Sequence, residues 1–419
     1  MSKRFLKGNG ITLIALAITI ILMLILSGCS ISLLIGQNGI IDRTQNAKQV
    51  VKATNDTESR NLAKIEAIMN ETETEYEEIK IPAGFAPTRI QGEDKINNGI
   101  VITDSLGNEY VWVEVPKSIY DDSNYNNNGS KKPNPLHGYS EVDYANIEHC
   151  LNEYSKEYKT YNTDDMYVED ENNKDKWITE KEYYEKKNKM LKGIYENGGF
   201  WIGRYETGID TSEMYRTEQN TKENEKIMQI HVVKKNAYPY NWVTRTEAQY
   251  LASNIKVTDY TCSLMFGVQW SLVLKFIEEK SVENAKDSNK ESIRKEIIKK
   301  LKSDSSNIGN YRNNLWKIPN QLIRYSTYRG NNYESGPKIK SQEQNILLTT
   351  GADDSFALLN IYDIAGNLFE WTLEKDRIKP CVCRGGSYIH TGNESTAQSE
   401  YCNGVEFELY DVGFRFSLY

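Results

Sequence analysis

Hydrophobic positions along this 419-residue chain fall into three textures. From Ile11 to Gly36 they form an unbroken run of 26 residues without a charge. As a helix that run measures about 39 Å, enough to cross a bilayer with some tilt. From Arg43 to Asn70 the positions Ala47, Val50, Val51, Ala53, Leu62, Ile65 and Ile68 recur mostly three or four apart, without Gly or Pro, which predicts a helical stalk. The acidic run from Glu71 to Glu78 then reads as a solvated linker.

From Ile81 onward, short β-branched and aromatic segments alternate with turn residues. Gly99 to Thr103 and Glu109 to Val115, separated by the turn Asp104 to Gly107, predict a β-hairpin. Further strands are expected at Gly199 to Glu206 and Ile230 to Val233. Helices are expected at Thr244 to Asn254 and at Val268 to Glu279, where Val268, Leu272, Phe276 and Ile277 share a face. Two polar stretches, 118–195 and 281–310, interrupt this texture and read as surface insertions. The domain reading is therefore a leader and transmembrane helix at 1–40, a helical stalk and acidic linker at 41–79, and one body at 80–419.

Charge fixes a direction on this arrangement. The chain carries a formal net charge of -8, yet residues 1–40 contribute +3 through Lys3, Arg4 and Lys7, leaving -11 on the remainder. Cations before the apolar run and acids after it place the N-terminus in the cytoplasm and the body outside, a single-pass protein of the cell membrane. An acidic body excludes nucleic acid as a partner, because phosphate binding needs a basic surface.

How the leader is processed stays open between three readings. It is an uncleaved signal anchor, or a lipoprotein signal in which Leu26-Ser27-Gly28-Cys29 presents Cys29 for lipidation, or a pilin-like leader. The third rests on Lys7-Gly8-Asn9-Gly10 followed by Ile11 to Leu16, which resembles the type IV prepilin leaders of Gram-positive bacteria. That resemblance implies a prepilin peptidase and pilus subunits as partners, although Ala15 stands where the family usually has a glutamate. The intact mass of the mature chain separates the three.

The most specific pattern is C-terminal: Leu359 to Thr372 (LNIYDIAGNLFEWT), Arg384-Gly385-Gly386-Ser387-Tyr388, and Val412-Gly413-Phe414-Arg415. Together with Glu109 to Pro116, Gly199 to Glu206 and Phe266 to Lys275, this order resembles the formylglycine-generating enzyme, or sulfatase-modifying factor, family. The resemblance covers roughly 80–419 without the insertions. It implies an α+β class, here an N-terminal transmembrane and stalk helix followed by a loop-rich C-type-lectin-like sulfatase-modifying-factor fold. In such a fold Arg384 and Arg415 are expected to pair with buried carboxylates such as Glu370.

The family's oxidase holds copper through two cysteines after the RGGS strand, and the matching positions here are His390 and Ser395. The resemblance thus implies an inactive oxidase domain with no copper. It also implies structural calcium in the AGN turn, at Asp363, Gly366, Leu368 and Glu370, whose carboxylates and carbonyls suit a hard cation. Cys381 and Cys383 are expected on one side of a strand, buried or with one of them bridged to Cys402.

The same fold carries the variable receptor proteins of diversity-generating retroelements. Their contact residues lie between the RGGS strand and the final GFR, which implies ligand contacts here at Tyr388, His390, Asn393, Tyr401, Asn403 and Glu406, a polar and aromatic mix. The expected function is a membrane-anchored surface protein that binds or displays an unknown extracellular ligand. A pilin-like fibre component and an extracellular enzyme with a repurposed site near His390 are the alternatives.

Overall fold

Apolar segments far apart in the chain meet in one antiparallel sheet. The computed structural model describes residues 79–120, 138–160, 162–223, 230–286 and 289–419. The main sheet runs Phe85–Pro87, Val101–Asp104, Glu109–Glu114, Gly199–Gly203, Phe416–Leu418 and Cys262–Leu264 in spatial order. The expected hairpin is its second and third strands, with Val101 opposite Val111. Its turn is held by Asp104, whose carboxylate accepts from the Leu106 and Asn108 amides at 2.9 and 2.8 Å. Phe416–Leu418 enters between Gly199–Gly203 and Cys262–Leu264, so it joins the edge strand Cys262–Leu264 to the other four.

A second sheet orders Glu400–Asn403, Cys381–Arg384, Phe369–Trp371 and Val412–Phe414. Its last pair is parallel, Phe369 opposite Val412. This sheet carries the three C-terminal motifs side by side. Smaller sheets of two or three strands tie down the loops around it.

These findings correct the expected fold class. Among the described residues the architecture is mixed α and β spread over seven sheets, most of them small, and no helix is long and apolar enough to cross a membrane. The apolar run 11–36 and the stalk 43–70 lie outside the described residues.

The polar stretch 118–195 is likewise more than surface decoration. Its described portion forms the helices Glu141–Tyr154 and Glu180–Asn197. Each opens on a capping box, Ser140 with Asp143 and Thr179 with Glu182, in which side chain and backbone satisfy each other's orphan donors. Ile147, Leu151, Met190, Leu191 and Ile194 are almost wholly buried in the main core. Each such side chain contributes roughly 1.5–3 kcal/mol. Tyr183 packs edge-on against Phe266 at 5.6 Å and donates its hydroxyl to the Leu373 carbonyl at 2.9 Å. The helix Lys290–Lys302, by contrast, buries only Leu301.

Two buried ion pairs lock the C-terminal motifs. Arg415 grips both oxygens of Glu370, Nη2 to Oε1 at 2.7 Å and Nε to Oε2 at 3.0 Å. It also donates to the Gly203 and Tyr362 carbonyls, each at 2.8 Å. Arg384 pairs with Glu374, a partner the motifs do not name, through Nε at 2.8 Å and a second bond from Nη2. Removing one member of a buried pair strands the other charge, at about 3–5 kcal/mol. Arg415→Ala is therefore expected to lose that much stability in urea unfolding of the full chain, and a loss below about 1 kcal/mol contradicts the role given to this pair.

Candidate functional site

The second sheet and the turns that leave it bring two of the expected ligand residues around one ring. Phe369 is buried at the start of its strand. His390 meets it edge-on at 5.5 Å, and Tyr401 lies nearly parallel to it at 5.8 Å. Tyr401 is 47% exposed, so the stack presents an aromatic face to solvent. Tyr388 is almost wholly buried beside this rim, edge-on to Tyr410 at 6.5 Å, and its hydroxyl has no hydrogen-bond partner among the described residues.

Ser387 positions the imidazole. Its hydroxyl donates to Asp411 Oδ2 at 3.0 Å and meets His390 Nδ1 at 2.9 Å, so Nδ1 carries the proton and Nε2 is left as an acceptor. Burial lowers the pKa of His390 and raises that of Asp411. Serine, histidine and aspartate meet, but in an order that does not activate a nucleophile. In a catalytic triad the imidazole stands between hydroxyl and carboxylate, whereas here the hydroxyl stands between imidazole and carboxylate, and Ser387 is wholly buried.

The other expected ligand residues go elsewhere. Asn393 and Glu406 are exposed, in the turn after His390 and beyond the strand Glu400–Asn403. Asn403 is buried opposite Cys381. The same register puts Cys402 opposite Val382, on the face away from Cys381 and Cys383. All three thiols are free, so the bridge to Cys402 does not form. Ser395 is buried, and its carbonyl would lie 2.3 Å from a Cβ placed on Gly386, which together with a φ of +78° reserves that position for glycine.

Of the four residues expected to hold calcium, Asp363, Gly366 and Leu368 lie in the AGN turn and Glu370 in the strand that follows it, in a nest of acids. Glu206, Asp363 and Glu370 are all buried around Arg415. Burial raises the pKa of all three, Asp363 to about 6, while Arg415 opposes the rise at Glu370. Glu206 accepts from Asn367 Nδ2 at 2.8 Å and from the Leu368 amide at 2.9 Å, and Asp363 accepts from the Gly351 amide at 2.6 Å. The negative charge of this turn thus faces a guanidinium and backbone amides. Among the described residues no group of three His, Cys, Asp or Glu side chains is arranged to hold a metal ion.

Beneath the RGGS turn, Tyr311 donates its hydroxyl to the Gly385 carbonyl at 2.9 Å, and its own carbonyl accepts from the ammonium of Lys340. Lys340 is 1% exposed, its Nζ 5.6 Å from the centre of the Trp316 ring, and burial lowers its pKa to about 8. The folded chain therefore releases this proton before the unfolded chain does. Its charged form weakens the fold below about pH 8, and the penalty fades as pH rises toward 10.5.

No family model and no curated protein matches this chain. Among solved structures, CarF is 14% identical, with a TM-score of 0.29 over 52% of this chain and 85% of that one. Treponema denticola variable protein 1 is also 14% identical, with a TM-score of 0.19 over 42% of this chain and 54% of that one. Likeness at this level assigns neither fold family nor function.

Lys340→Met is expected to flatten the rise in stability between pH 7 and pH 10, by roughly 3 kcal/mol for a pKa lowered from 10.5 to about 8. Denaturant unfolding at the two pH values checks it, and an unchanged slope in the variant contradicts the assignment.

Proposed function

We propose that the chain is a surface-displayed binding protein whose ligand meets the rim formed by His390 and Tyr401. One observation carries this reading: both rings rest on the buried Phe369, and the Ser387 to Asp411 bond fixes His390 so that Nε2 is an acceptor beside an exposed aromatic face. Rigid aromatic rings offer contact area at little entropic cost, which is what a binding rim needs. The order of Ser387, His390 and Asp411 favours binding over nucleophilic catalysis. External display is supported by the charge asymmetry of residues 1–40, which lie outside the described residues.

Cells producing the full chain, screened against glycans, peptides and host-surface proteins, test the reading. A ligand captured by the wild type is expected to bind about tenfold more weakly, or about 1.4 kcal/mol, to Tyr401→Ala and to His390→Ala, with melting temperatures unchanged. Equal capture by both variants removes the rim from the reading. Copper in the purified protein, or oxidation of a cysteine peptide by it, replaces the binding reading with the enzyme.

A further inference from the structure

A small cavity of about 210 Å³ opens between the loop Lys234 to Ala237, the pair Asp210 and Thr211, and the start of the strand Arg324–Ser326. That volume is below the roughly 300–1,000 Å³ of sites that enclose a whole small molecule, so it suits a single ionic group. Val232 and Ala237, both buried, and Leu322 supply the apolar part of its lining, and polar or charged side chains supply the rest.

Two consecutive threonines, both wholly buried, fix the frame of this cavity. Thr349 holds the strand: its amide donates to the Arg324 carbonyl at 2.9 Å and its hydroxyl accepts from the Arg324 amide at 3.2 Å. Thr350 holds the loop: its hydroxyl donates to the Lys234 carbonyl at 2.6 Å and accepts from the Ala237 amide at 3.0 Å, and its carbonyl accepts from the Asn236 amide at 2.7 Å. The backbones of Arg324 and Lys234 therefore stand at a fixed separation.

The charges lining the cavity do not balance. Lys235 is spent on Asp354 at 2.5 Å. Asp210 spends Oδ1 on the Ser212 amide and hydroxyl, at 3.0 and 2.8 Å, while its Oδ2 lies 3.8 Å from the Lys234 ammonium, too far for a hydrogen bond. The Arg324 guanidinium makes no ion pair and no hydrogen bond among the described residues. It lies 5.4 Å from the centre of the Tyr238 ring, a contact that orients it. Lys234, Lys235 and Arg324 against Asp210 and Asp354 leave one positive charge unmatched, in a chain whose net charge is -8. The Thr211 hydroxyl, also unbonded among the described residues, adds an uncharged donor. Arg324 is half-buried and the Lys234 side chain is 31% exposed, so both cations reach solvent.

We propose that this cavity binds a tetrahedral oxyanion, a phosphate or sulfate group, held by the Arg324 guanidinium and the Lys234 ammonium with Thr211 donating a further bond. A guanidinium presents parallel N–H groups to two oxygens, and an ammonium meets a third as a point charge. Donors from three separate segments match an anion whose oxygens point in several directions better than they match a flat carboxylate. The site shares no residue with the rim of His390 and Tyr401 and does not rest on it.

Isothermal titration calorimetry of the purified full-length protein, at a fixed ionic strength of about 0.15 M, tests the proposal with inorganic phosphate, sulfate, glycerol 3-phosphate and acetate. Phosphate or sulfate is expected to bind about tenfold more tightly than acetate. Its affinity falls about tenfold in Arg324→Gln and in Lys234→Gln at unchanged melting temperature, and Tyr401→Ala binds as the wild type does. Arg324→Lys, which keeps the charge and loses the fork, recovers part of the loss. Lys234→Gln, at a solvent-facing position, carries the test if Arg324→Gln does not fold. Glycerol 3-phosphate binding as tightly as inorganic phosphate assigns the site to a group presented on a larger molecule, and its exclusion assigns the site to the free ion. No binding of either oxyanion, acetate bound as tightly, or undiminished affinity in a folded Arg324→Gln or Lys234→Gln overturns the proposal.

Discussion

The motifs around Glu370 are held together by Arg415. It is wholly buried, its protons are spent on Glu370 and two carbonyls, and those partners come from three different regions of the chain. A buried ion pair of this kind is a weak source of net stability against an apolar replacement, because desolvation offsets the Coulomb gain. Its contribution is geometric. The guanidinium joins the strand Gly199–Gly203, the short strand Ile361–Tyr362 and the strand Phe369–Trp371 at fixed spacing. With Glu206 and Asp363 also buried beside it, the cluster holds three acids against one cation, so it tolerates little rearrangement. The stack of His390 and Tyr401 on Phe369 inherits that rigidity, since Phe369 begins the strand that Glu370 continues.

Arg384 does the same work in the neighbouring strand. Its partner Glu374 also accepts from Thr163 and Thr372, at 2.8 and 2.9 Å, which extends the link into the stretch before the helix Glu180–Asn197. The two arginines therefore organise two different surfaces. Arg415 supports the aromatic rim, and Arg384 ties the Gln398 carbonyl to Thr160 on a different face.

Much of this is legible in the chain itself. The hairpin at Val101–Asp104 and Glu109–Glu114 and the helices Arg245–Asn254 and Gly267–Asn284 follow from turn residues and apolar spacing. The helices inside 138–197 escape that reading because their aliphatic residues are diluted by Lys, Glu and Asn. The signal present is local chemistry, Ser140 with Asp143 and Thr179 with Glu182, spaced as capping boxes. The pairing of Arg415 with Glu370 is readable from the motifs, whereas Glu374 for Arg384 is not, since nothing in a one-dimensional pattern says which acid a buried guanidinium reaches. Of the expected ligand residues, Tyr401 reaches the Phe369 ring through the register of its strand and His390 through the turn after Ser387. Asn403 faces Cys381 for the same reason, and composition carries no information about register.

The placement of Phe416–Leu418 bears on how the molecule comes to be folded. The strand lies between two neighbours made much earlier, and Arg415, just before it, bonds to a carbonyl 212 positions upstream. Closing a loop of that size precedes any reward from the contact, and topologies dominated by such distant pairs fold slowly. Until those residues emerge, Gly199–Gly203 has an unpaired edge and Cys262–Leu264 has no partner in the main sheet. A nascent chain thus cannot complete its main sheet until Phe416–Leu418 has been made.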